Sequence, residues 1–147
     1  MAWIDKGNEV RESDLVFHEI DPCVGYARED IVIPEGDVVK AGTVYFRALS
    51  ELDPFAEYAK LEDAADLTVD NEFVVVFGNG YGMQTEFTAV AGGDGKFNAV
   101  CYKRGLIQLK EGLIRENLPE AIGGDEAEFG KLKELLKRQG VIIERQA

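Results

Sequence analysis

Three groups of residues in this sequence have the types that chemistry uses. The first is Gly78-Asn79-Gly80-Tyr81-Gly82, which follows a β-branched run. A dinucleotide site needs GxGxxG opening a helix, so that backbone N–H groups and the helix dipole meet a pyrophosphate. Here Met83 stands where the third glycine belongs, and strand-like residues follow. That spacing predicts an inter-strand loop. The second group is His18 with Cys23 or Cys101, the residue types of a nucleophile and its base. No oxyanion loop or orienting group accompanies them, so His18 is expected at solvent or at an interface. The thiols are expected to be reduced and partly buried. One histidine and no CxxC pair exclude a typical zinc site. The third group is Glu62, Asp63, Asp66, Asp70 and Glu72. Carboxylates suit calcium, but the order lacks the DxDxDG loop, and a solvated acidic loop is expected. The sequence therefore assigns no catalytic, cofactor or metal residue, and the chain reads as a non-enzyme.

The elements that would position these residues are short. CVGYAREDIVI, residues 23–33, reads as extended, and Pro34-Glu35-Gly36-Asp37 as a turn. Residues 38–49 resume as strand, with a turn or bulge at Gly42, and Asp53-Pro54 ends it. YAKLEDAADLTVD reads as loop with one or two strand residues. EFVVVF, residues 72–77, is apolar at consecutive positions and predicts a strand buried on both faces. MQTEFTAVA alternates as a strand, and Gly92-Gly93-Asp94-Gly95 turns into FNAVCYK. FNAVCY and LIQL flank Lys103-Arg104-Gly105 and predict a hairpin.

One amphipathic helix is predicted near the end. Phe129, Leu132, Leu135 and Leu136 fall on one face, Asp125 suits the N-cap, and Gly140 the C′ position. Val141, Ile142 and Ile143 then form a closing strand. Residues 1–20 show no sustained period and read as an extended arm, leaving residues 21–147 as the core domain. Trp3 near that terminus is equally suited to anchoring on a partner and to packing on its own domain. Deletion of residues 2–20 is expected to leave the fold intact.

A chain of 147 residues suits one domain. At that length roughly 70% of the unfolded surface can be buried without a staple. The net charge of −12 disfavours binding to nucleic-acid phosphates or an anionic membrane. The charge is uneven. Residues 31–97 carry 12 acidic and 4 basic side chains, whereas residues 98–147 carry 8 and 9. Either the excess serves solubility or the two parts face different surroundings. The N-terminus has no basic region followed by an apolar one, and FVVVF is too short to span a bilayer. Synthesis and folding in the cytoplasm are expected.

Tyr102-Lys103-Arg104-Gly105, the LIQLKEGLI run, Leu118-Pro119-Glu120, the EFGKLKELLKRQ helix, Gly140 and the VIIE strand follow one another from Phe97 to Glu144. In this order they resemble the small head-decoration, or cement, proteins of tailed bacteriophages, typified by that of phage lambda. VGYAREDIVIPEGDVVKAGTVYFRA adds a looser match. The resemblance implies an α+β fold of β-hairpins of the β-tulip type, with one C-terminal helix and an extended N-terminal arm. It implies a homotrimer on the outer surface of the expanded capsid, made in the host cytoplasm, stabilising the head against internal DNA pressure. Its partner would be the major capsid protein, contacted through the arm by Trp3, Ile4, Val10, Leu15 and Phe17. The N-terminal region is longer than in the lambda protein, and the acidic loop at 61–72 has no counterpart there. Other readings are a head–tail joining or tail-tube subunit, a small ligand-binding β-barrel, or an enzyme using the Gly78–Gly82 loop.

Overall fold

A computed structural model describes residues 15–19, 27–79, 84–93, 96–105 and 107–144. The chain is α+β, mainly antiparallel sheet with helices in its C-terminal third. The strands are β1 (Val16–Glu19), β2 (Arg28–Ile31), β3 (Val38–Lys40), β4 (Thr43–Ala48) and β5 (Ala59–Lys60), followed by β6 (Asn71–Gly78), β7 (Glu86–Thr88), β8 (Ala99–Tyr102), β9 (Ile107–Lys110) and β10 (Val141–Glu144). Among the described residues, three helices lie between β9 and β10: α1 (Glu111–Asn117), α2 (Glu120–Gly123) and α3 (Glu126–Arg138).

The central sheet has the order β2-β8-β6-β4-β5. The consecutive apolar run falls on β6, in its middle. Phe73, Val75 and Phe77 enter one core cluster, while Val74 and Val76 enter the other. Because side chains alternate faces along a strand, a strand apolar at every position must be covered twice. On one side lie α1–α3 and a three-stranded sheet, β1-β9-β10. On the other lies the antiparallel ribbon β3-β7 with Val39, Phe87 and Ala89. The 58–70 segment, read as loop with one or two strand residues, holds the two residues of β5 and a short 3-10 turn at Ala64–Asp66.

The final helix forms as its sequence predicts. Asp125 Oδ1 accepts hydrogen bonds from the N–H groups of Ala127 and Glu128, at 2.9 and 3.2 Å. Phe129, Leu132 and Leu136 are buried. It is not the only helix. KEGLIREN, which the sequence left inside an apolar run and polar link, winds into α1 because Ile114 is buried and Asn117 Nδ2 donates to Ala41 O and Leu113 O.

Two expectations are corrected. FNAVCY and LIQL do not form a hairpin. Both edges of β8 are taken by β2 and β6, and both edges of β9 by β1 and β10. Gly105, at φ +83, turns the chain out of one sheet and into the other. The second correction concerns the arm. Leu15 is 0% exposed, and Val16–Glu19 pairs antiparallel with β9. These five residues belong to the folded domain.

Candidate functional site

An open cleft of about 500 Å³ lies beside the central sheet, lined by Arg28, Glu29, Asp30, Arg47, Tyr58 and Lys103 among others. Three of these charges, together with Glu72, follow from strand order. Glu29 is on β2, Lys103 follows β8, Glu72 is on β6 and Arg47 is on β4. Read across the strands, the signs alternate: Glu29, Lys103, Glu72, Arg47. Neighbours meet at 2.8, 3.4 and 3.0 Å. Arg47 and Glu72 are directly opposed in the β4–β6 register and are only 10% and 12% exposed.

Tyr58 covers this row. Its hydroxyl donates to Glu72 Oε1 at 2.6 Å and accepts from Lys103 Nζ at 3.1 Å. Its ring lies 4.3 Å from the Arg47 guanidinium carbon, a cation–π contact. Burial, then the Glu72 carboxylate, push the phenol far above its ordinary range, so it stays a donor. Glu29 also accepts from both terminal nitrogens of Arg104 at 3.0 Å. Partial burial pushes the Glu29 carboxyl up, but Lys103 and Arg104 outweigh it and hold the group below 4.5. Each carboxylate is engaged by cations on neighbouring strands. The arrangement is a clasp of charges that ties four neighbouring strands together.

The residues singled out by sequence are dispersed. Gly78 ends β6 and Asn79 bonds Gln84, while Gly80–Met83 lie outside the described residues. Cys101 is buried on β8, its Sγ 3.4 Å from the Glu29 carbonyl oxygen that accepts its proton, and burial pushes the thiol up. His18 is on β1, opposite Gln108 in another sheet, and Cys23 lies outside the described residues. The acidic group is split. Asp63 caps the 3-10 turn, Asp70 O accepts from Leu49 N, and Glu72 belongs to the clasp. Of the arm residues, Trp3, Ile4 and Val10 lie outside the described residues, and Phe17 is on β1. Leu15 is in the core and has no surface to offer a capsid.

Sequence reading missed the clasp because its four charges are spread from 29 to 103. The available signal was Arg47 in one predicted strand, which also holds Lys40, and a lone Glu72 heading another. Two side-chain amides were missed as well. Asn98, 4% exposed, exchanges 2.8 Å bonds with both the N–H and the carbonyl of Ile33. Gln139 does the same for Phe73, at 2.9 and 2.6 Å, and adds Lys103 O at 2.8 Å. Each extends a sheet where no strand is available.

No helix among the described residues is long and apolar enough to cross a membrane. Comparison with protein-family models, curated proteins and solved structures returned no match.

Proposed function

We propose that this chain is a decoration protein of a tailed-phage head, a non-enzymatic cement that binds the outer surface of the expanded capsid as a trimer. The observation that supports the reading is the junction of Gly105 and Gly140. Both belong to the resembling pattern, 35 positions apart, and they are its glycines with positive φ. They meet in space: a Cβ on Gly140 would overlap the carbonyl oxygen of Gly105. The basic-glycine turn and the glycine that stops the helix thus form one structural unit, placing β9 and β10 side by side. In this chain the quoted pattern therefore has parts that converge on one packing constraint, which supports reading it as more than composition.

A cement acts through buried contacts repeated over neighbouring subunits, which avidity multiplies. The finer features of the reading, a β-tulip topology and an arm that adds to a capsid protein, come from the resemblance. The test is co-sedimentation of the purified chain with expanded and unexpanded heads of its phage. Saturable binding to expanded heads, with raised resistance to heat, is expected. Binding to neither form, or only to isolated portal or tail assemblies, overturns the reading.

A further inference from the structure

Leu52 is 87% exposed, the most exposed of the large apolar side chains among the described residues. It stands between Glu51 and Asp53 on a loop that is held firmly. Glu51 N donates to Ala48 O, Asp53 N to Glu51 Oε1 at 3.1 Å, and Phe55 N to Asp53 Oδ1 at 3.0 Å. Arg47 donates to Asp53 O at 2.8 Å, and the Phe55 ring stacks on Phe97 with centroids 4.8 Å apart. A leucine kept in water by an ordered loop is a preorganised contact, because the ordering entropy is spent before a partner arrives.

Elsewhere an open groove of about 460 Å³ runs between the 67–69 turn and α3. Leu67, Val69, Gly130 and Leu135 give it an apolar lining, and Val69 is 58% exposed. Lys131 and Arg138 stand on its rim with Glu134, and Lys131 Nζ also meets Glu128 Oε1 at 3.1 Å, a pair that a docking carboxylate would share or replace. Nothing lies within 4 Å of where a Cβ on Gly130 would be, so the groove is open there. The knob therefore has an apolar tip between two anions, and the groove has an apolar floor under two cations and one anion.

We propose that Leu52 of one copy seats in this groove of a second copy, with Glu51 and Asp53 facing Lys131 and Arg138. Knob and groove are different patches, so the contact is either head-to-tail, closing as a ring, or exchanged reciprocally by two copies across a two-fold axis. A ring of three rests on the decoration reading above. The contact itself rests on the complementarity of the two patches.

Sedimentation velocity of the wild-type chain, of Leu52→Asp and of Lys131→Glu/Arg138→Glu tests it. The wild type is expected to associate, and each variant to weaken association at least tenfold with an unchanged circular-dichroism spectrum. A second measurement does not depend on loss of binding. In a Cys23→Ser background, Leu52→Cys chains are mixed with Val69→Cys chains and oxidised. Mixed disulfides are expected to exceed both homodimers. Wild-type self-association in Leu52→Asp, a wild type monomeric at its highest soluble concentration, or no preference for the mixed disulfide overturns the proposal. A chain that associates through Leu52 yet ignores expanded heads keeps this contact and loses the decoration reading. One that decorates heads while Leu52→Asp associates normally does the reverse.

Discussion

At the scale of single residues, the polar side chains inside this protein act by replacing something the backbone lacks. Asn98 and Gln139 supply sheet-like hydrogen bonds to Ile33 and Phe73. Glu72 neutralises cations from two other strands. Removing one partner of a buried ion pair strands the other, which costs more than the pair is worth. Glu72→Gln is expected to cost about 3 kcal/mol in a urea melt, whereas Lys131→Ala on the exposed face of α3 should cost under about 0.5 kcal/mol. Equal midpoints for the two would show that the clasp is not structural. Glu29 makes a prediction with pH. Its folded pKa lies below the ordinary 4.5, so the stability it adds is fully present above that value. It is lost as pH falls through the lower, folded value. The difference in urea midpoint between wild type and Glu29→Gln should therefore be constant near neutrality and shrink only in acid. A difference that grows in acid would reverse the sign. None of these roles was legible beforehand. An amide or carboxylate in sequence gives no indication of which distant backbone it will meet.

The legibility of an element depends on how much of its cause is local. Helix α3 was readable because its cap, its apolar face and its glycine stop lie within sixteen consecutive residues. Strand β6 was readable because an unbroken apolar run must be covered on both faces. The hairpin was misread because turn chemistry at Arg104-Gly105 is the same whether the next strand folds back or crosses to another sheet. Only the occupied edges of β8 decide that, and their partners are remote. Helix α1 was hidden by its single fully buried residue, Ile114, which leaves little periodicity to detect. Glycines divide in the same way. Gly130 lies inside α3 with open space around it, so Gly130→Ala is expected to stabilise by about 0.5–1 kcal/mol. Gly140 has φ +90 and lies against Gly105, so Gly140→Ala is expected to cost more than about 2 kcal/mol. Thermal melts of the two variants should move in opposite directions.

At the scale of the whole molecule, α+β character was legible and the boundary of the domain was not. Leu15 opens a run of only three apolar residues, Leu15-Val16-Phe17, between charged neighbours, too short to establish a period that would mark it as core. Its burial changes what a truncation should do. Deleting residues 2–20 removes Leu15 and β1, and is expected to cost at least what a buried Leu→Ala change costs, about 2–5 kcal/mol. Deleting residues 2–13 spares both and should preserve the melting temperature. Identical melts for the two deletions would show that β1 adds nothing to stability. Under the proposed decoration role, a loss of capsid binding would be attributable to the residues before Leu15 only in the shorter deletion, because the longer one also removes Leu15 and β1.

Strand β9 has β1 on one side, antiparallel, and β10 on the other, parallel. Val16 therefore sits beside Leu109 and Glu144 beside Lys110, at the same end of the same strand. Val16 and Glu144, near the two ends of the described residues, are separated by two inter-strand spacings, about 10 Å. In connectivity terms the domain is nearly a closed loop. A linker of about four residues would span that gap, and the ring could be reopened at the exposed Ser50–Glu51 bond. Such a circular permutant is expected to fold cooperatively, with the native circular-dichroism spectrum. Failure to fold would mean that the order in which β1 and β10 reach β9 matters as much as where they end.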